Sequence, residues 1–236
     1  MVGDAFVVMD ATDYPDWPEV AETGTTFLEN ATLKAEAISA LVEGYVLSDD
    51  SGLEVDALHG APGVWSSSYG GKEGDHPRNN ARLLEEMKQV PEELRSARFV
   101  CTMVIAQGGK SLVHFVGRVE GKILNSASGA QGFGYDPLFA PFGYGKSFAE
   151  LGSAIKNSLS HRGRALAQVV DWLQTPEQFY PSCASCYYSP PLSFPSHRLP
   201  AFKSKPKSLW STNSNPAALH YSRAAWPTLP SAHQKL

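Results

Sequence analysis

Asp49-Asp50-Ser51-Gly52 follows the apolar run Tyr45-Val46-Leu47 and precedes Leu53-Glu54-Val55. Read as the end of a strand entering a turn, this segment sends its adjacent carboxylates to different sides, so one can face a cation while the other supports the chain. Oxygen donors of this kind suit magnesium, which takes one or two carboxylates and fills its other positions with water and phosphate oxygens. The same four residues also make an ordinary turn, and alone they leave both readings open.

Two further segments carry different chemistry. In Gly132-Phe133-Gly134-Tyr135-Asp136-Pro137 the glycines let backbone approach a ligand closely, an aromatic ring can stack on a base, and Asp136 can accept hydrogen bonds from an amide or amine edge. A loop built around a buried tyrosine would read the same way. Ser160-His161-Arg162-Gly163, with Lys156 just upstream, supplies donors for an oxygen-rich purine or a phosphate. Its alternative is structural, with Ser160 as the N-cap of a helix. Glu22, Glu29 and Lys34 read as helix-surface residues until something joins them.

The elements that must hold these side chains follow from hydrophobic period and punctuation. Ala5 to Met9 is a short apolar run, a strand leaving into a loop. Phe27, Ala31, Leu33, Ala35, Ile38 and Leu41 recur at helical spacing behind plausible threonine caps, with Gly44 as the stop. Leu53 to Leu58 alternates like a second strand after the acidic turn, and Asn79 to Lys88 reads as an amphipathic helix. Arg98 to Gln107 and Leu112 to Val119 are β-rich runs joined by Gly108-Gly109, a hairpin. Arg162 to Leu173 closes the series as a helix. Helices and strands alternate irregularly, which predicts α/β architecture on a mixed sheet rather than strict βαβ units.

Charge divides the chain into two regions. Beyond residue 175 lie six of the 20 basic residues but only one of the 24 acidic ones, Glu177. The body over 1–175 is therefore acidic, whereas 176–236 is basic, rich in proline and serine, and without sustained period. Such a stretch cannot readily offset an ordering cost of about 1–2 kcal/mol per residue, so disorder is expected there. Trp210 and Trp226 keep a docked or partner-binding role open. Three cysteines make no disulfide framework, and Cys183-Ala-Ser-Cys186 lacks the second pair that a zinc site needs. Net charge gives no global signal for nucleic acid, and no apolar stretch approaches the ~18 residues of a membrane span. A cytoplasmic protein is expected.

Taken in order, the segments resemble one family: the noncanonical purine nucleoside triphosphate pyrophosphatases that cleave inosine and xanthosine triphosphates. The resemblance rests on Glu22-Thr-Gly-Thr-Thr-Phe-Leu-Glu-Asn-Ala31, Lys34-Ala35, Ser48-Asp-Asp-Ser-Gly-Leu-Glu-Val-Asp56 and Gly60-Ala-Pro-Gly-Val-Trp-Ser66. Gln131-Gly-Phe-Gly-Tyr-Asp-Pro-Leu-Phe139 and Lys156-Asn-Ser-Leu-Ser-His-Arg-Gly163 complete it, and the set spans about residues 4–174. It implies an enzyme that hydrolyses ITP, dITP and XTP to the monophosphate and pyrophosphate, with magnesium-assisted water attack on the α-phosphate. It also implies a twisted mixed sheet with flanking helices in two lobes around a cleft, and a homodimer. Asp50 matches the family's proton acceptor and magnesium ligand, with Asp49 and Glu22 beside it as further metal ligands. Ser51, Phe133, Gly134, Tyr135, Asp136, Lys156, His161 and Arg162 match substrate contacts, and Lys34 would supply charge to the triphosphate.

The resemblance departs at both ends. Relatives open with a strand, a Thr/Ser-x-x-Asn-x-x-Lys loop and a helix, for which residues 1–175 show no counterpart, and 176–236 has none among them. Such a loop would hold phosphate at a helix N-terminus. Its loss implies an alternative: a purine-nucleotide-binding or dimer-forming protein with impaired catalysis. Some relatives also carry a glutamate where this chain has Ala21, which leaves Glu19 as another candidate second ligand.

Overall fold

The computed structural model describes residues 6–10, 13, 17–175 and, as backbone, 217–222. One six-stranded sheet runs through it in the order β1 (Phe6–Asp10), β6 (Ala217–Ser222), β2 (Tyr45–Val55), β3 (Ser96–Gln107), β4 (Lys110–Ile123), β5 (Phe139–Pro141). β6 pairs parallel with both β1 and β2, and the pairs from β2 to β5 are antiparallel. The sheet is thus mixed, as the irregular alternation predicts.

Among the described residues there are four α-helices: α1 (Phe27–Ser39), α2 (His76–Glu86), α3 (Phe148–Leu159) and α4 (His161–Leu173). Strand alternation assigns α1 and α4 to opposite faces. On one face, Ala31 and Ala35 of α1 pack on Val104 and Ala106 of β3. On the other, Ala165, Val169 and Leu173 of α4 pack on Tyr45 and Leu47 of β2 and on Cys101, Met103 and Ile105 of β3. A separate core gathers Leu53, Leu83, Met87, Phe99, Leu138, Phe139 and Phe148 beneath α2 and α3. Each of these side chains contributes roughly 1.5–3 kcal/mol on burial. Among the described residues no helix is long and apolar enough to cross a membrane.

Several elements differ from the expectation. The acidic segment is not a turn, because β2 runs unbroken through it, paired with β3 from Val46↔Ala106 to Val55↔Ala97. A continuous partner strand satisfies the backbone groups that a turn would have satisfied locally. α1 ends at Ser39, short of Gly44, and Leu33 and Leu41 are exposed while Asn30 and Lys34 lie on the buried face. α3 is an addition: its mixed composition hides a capping box at Ser147 and Glu150, and Gly152 interrupts it at φ 77°, a conformation glycine takes without strain. The tail expectation falls mostly outside the described residues, as do Cys183, Cys186, Trp210 and Trp226. Within the tail, residues 217–222 form a strand where no periodic element was expected, bonded to two strands that otherwise share no pairing.

Candidate active site

The α1 face of β2 carries an acidic cluster. Thr26 caps α1, its hydroxyl accepting from the Glu29 N–H at 3.1 Å while the Glu29 carboxylate accepts from the Thr26 N–H. This box fixes the helix start at Phe27, three residues before Asn30, whose Nδ2 donates to Asp50 Oδ2 at 3.1 Å and whose Oδ1 accepts from the Gly24 N–H at 2.8 Å. One turn on, Lys34 Nζ lies 3.1 Å from Glu22 with its side chain only 5% exposed. The pair is within ionic range but not in hydrogen-bond geometry, so Nζ is a buried ammonium with no hydrogen-bond acceptor among the described residues. Burial pushes the Asp50 carboxyl up to about 6, against the pull of Lys34 and Asn30.

The α4 face of the same strand borders a cleft. Ser160 caps α4, accepting from the Gly163 N–H at 3.0 Å, which sets His161 and Arg162 in the first turn. That turn lies directly on β4 because Gly117 has no side chain: a Cβ there would meet the backbone of His161 and lie 2.6 Å from Ala165 N. His161 stacks on Phe99 with ring centroids 5.0 Å apart. Burial, with Arg162 and Lys156 adding to it, lowers its pKa to about 3, so the imidazole is neutral. Its Nδ1 is buried without a hydrogen-bond partner among the described residues. Arg162 donates from Nε and Nη2 to Asp49 Oδ2 at 3.0 and 2.7 Å, and from Nη2 to Ser51 Oγ at 2.8 Å.

The glycine-rich loop closes the cleft. Asp136, nearly fully buried, accepts from the Phe133 N–H at 2.8 Å and pairs with Lys156, whose Nζ sits 4.1 Å above the Phe133 ring. Gly132 takes a φ of 86° there, and a Cβ on it would strike the Asp136 carboxylate. Asn80 Nδ2 donates to Gly134 O at 3.0 Å, and Tyr135 is a buried peg whose hydroxyl donates to Ser66 O at 2.9 Å. The resulting cleft is open to solvent, spans about 450 Å³ with its mouth included, and is lined by Ser51, Phe133 to Asp136, Lys156, His161 and Arg162, among others.

The predicted residues therefore form two groups. Asp50, Glu22 and Lys34 come together on the α1 face, and all eight predicted substrate contacts other than Lys34 line the cleft. Asp49 joins neither as a metal ligand: alternation turns it to the α4 face, buried and ion-paired with Arg162, away from Asp50 and Glu22. Among the described residues no set of three His, Cys, Asp or Glu side chains is arranged for a metal ion, which leaves two carboxylates, within the number magnesium uses. The Tyr135 hydroxyl and Asp136 Oδ2 are engaged within the protein, and Phe133 is the ring of this loop left to meet a ligand.

Sequence reasoning missed Asn30, Asn80, Ser66 and Gly117. Asn30 had a signal, since it shares a helical face with Phe27 and Lys34 at spacings of three and four. Ser66 ties the 60–66 loop to β2 by accepting from the Leu53 N–H at 2.9 Å. Nothing local marks Gly117, whose need for a small side chain arises from a helix 44 residues later in the chain.

Known proteins share this fold and much of this sequence. The model of the family described as "Ham1 family" matches residues 2–172. The chain is 48% identical over 158 residues to a dITP/XTP pyrophosphatase of Oceanobacillus iheyensis, covering 67% of this chain and 80% of that protein. It is 47% identical over 168 residues to one from Geobacter sulfurreducens, covering 71% and 84%. Among solved structures, the Staphylococcus aureus Ham1 protein superposes with a TM-score of 0.68 at 36% identity, covering 73% of this chain and 89% of that one. A HAM1 protein from Coxiella burnetii gives 0.63 at 38% identity, covering 66% and 80%.

Proposed function

Because the chain belongs to the Ham1 family, we propose that it hydrolyses ITP, dITP and XTP to the monophosphate and pyrophosphate. One observation carries this reading: an aromatic cleft containing a buried, unpartnered imidazole nitrogen is joined through Ser51 to an acidic cluster on the other face of the same strand. A purine fills the first, and its phosphates reach the second.

Asp50 and Glu22 fit magnesium as two oxygen donors on one face, the number of carboxylates it commonly takes, with Glu22 also 3.1 Å from Lys34 Nζ. Bound there, the cation would neutralise charge on the phosphate oxygens. Asp50 orients a water toward the α-phosphorus and takes its proton, the work of a positioned carboxylate base. The water oxygen bonds to that phosphorus as the bridge to the β-phosphate breaks, and pyrophosphate leaves with the electron pair. Lys34, with no hydrogen-bond acceptor of its own among the described residues, meets the phosphates. Positioning and charge carry such a reaction, with no covalent intermediate required.

The cleft reads the base. Phe133 offers a face for stacking, and Arg162, a donor-only side chain, favours a 6-oxo over a 6-amino purine. An opposed donor pair costs ~1–3 kcal/mol, enough for about ten- to hundredfold discrimination. Incubation with ITP and magnesium tests the proposal. IMP and pyrophosphate in equal amounts are expected, with ATP turned over far more slowly. A folded preparation that binds IMP but releases no pyrophosphate would instead favour the impaired binding protein.

A further inference from the structure

We infer that Asp49 is the positioning residue of the base cleft: it holds the Arg162 guanidinium, and through it the purine, and takes no part in binding the metal. This rests on the reading of the cleft as a purine site. The residue sits next to Asp50 in sequence, yet β2 separates the two carboxylates by strand alternation. Ser48 and Asp50 face α1, where the Ser48 hydroxyl donates to Ala31 O and Asp50 accepts from Asn30. Asp49 and Ser51 face α4, and both bond Arg162.

The Asp49 side chain is 3% exposed, and one of its oxygens receives two N–H groups from Arg162. A third contact, from Cys101 Sγ at 3.7 Å, reaches the same oxygen from β3, where Cys101 lies opposite Ser51. Together with Ser51 Oγ these bonds fix both the plane and the rotation of the guanidinium. Arginine otherwise keeps considerable rotamer freedom, which a ligand would have to restrict on binding. The helix start adds a second reason. A cation in the first turn of α4 opposes the helix dipole, and the buried carboxylate offsets that charge. Asp49 itself does not line the cleft, so its influence on the ligand passes through Arg162 and Ser51.

The test compares steady-state kinetics of the full chain and three variants with ITP. Asp49→Asn keeps the volume and removes the charge. It is expected to raise KM about tenfold, with kcat within about twofold and the magnesium concentration for half-maximal rate unchanged. Arg162→Ala should raise KM further, and Asp49→Asn added to it should change nothing more, since the first change has already removed the group being positioned. A shift in half-maximal magnesium with Asp49→Asn, an unchanged KM, or effects that multiply in the double variant would each overturn the inference. Should Asp49→Asn not fold, Ser51→Ala frees Nη2 of its other side-chain acceptor and is expected to raise KM about threefold. No change in that variant then overturns the inference. Should the wild-type chain not turn over ITP, the proposed activity fails on its own. Calorimetric titration with IMP then decides: weaker binding by Asp49→Asn supports the positioning role, while equal or absent binding overturns it.

Discussion

β2 presents two chemically opposite surfaces within three residues. Toward α1 it shows Asp50, hydrogen-bonded by Asn30 and sharing a charged cluster with Lys34 and Glu22; toward α4 it shows Asp49 and Ser51, occupied with Arg162. The first surface holds a carboxyl at a raised pKa, and the second holds an imidazole at a lowered one. Burial is the leading cause of both shifts and in each case favours the neutral form. The contrast teaches that two adjacent aspartates with one local sequence context can have unrelated roles, because the sheet and not the sequence neighbourhood chooses their partners.

The largest effect that would sharpen this contrast is on turnover. Asp50→Asn is expected to lower kcat for ITP by about 10²–10⁴-fold while leaving IMP affinity within a few fold, measured by pyrophosphate release and calorimetry. Gly117→Val should damage the opposite surface, because the new side chain would collide with backbone of α4's first turn. A loss of about 2–4 kcal/mol in urea unfolding is expected, since backbone gives way less readily than a side-chain tip.

A third prediction sets stability against activity at one residue. Folding raises the Asp50 pKa from 3.8 to about 6, so the native state binds its proton more tightly than the unfolded chain does. The ionised carboxylate therefore destabilises the metal-free protein above pH 6, and the penalty fades as pH falls from about 6 toward 4. Asp50→Asn is expected to stabilise the metal-free protein at pH 7 by on the order of 1–3 kcal/mol, with the gain shrinking toward pH 4. Urea unfolding in chelator at the two pH values checks it. The smallest effect belongs to the cleft wall: Phe133→Ala should raise KM for ITP about three- to tenfold with little change in kcat, read from initial rates.

Much of this was legible in the chain because the informative signals are local. The Gly108-Gly109 hairpin and the α4 cap at Ser160 depend on neighbours a few residues away. The unbroken course of β2 was not legible, because Asp-Asp-Ser-Gly prefers a turn and only pairing with β3 overrides it. Within the site, the residue types at Asp50, His161 and Arg162 pointed to chemistry, but the sorting of Asp49 from Asp50 depended on which face of the sheet each one met. α3 escaped because glycine and serines dilute its period. β6 depends on edges offered by strands about 170 and about 210 residues away in sequence, which no window of local pattern contains.

The division of labour across β2 is tested most directly by titrating IMP into Asp50→Asn and Arg162→Ala side by side, with ITP turnover measured on the same preparations. Asp50→Asn is expected to keep near wild-type affinity for IMP and lose turnover, whereas Arg162→Ala loses affinity for IMP. Equal loss of IMP affinity in both variants would contradict it, since the two faces would then be doing the same work.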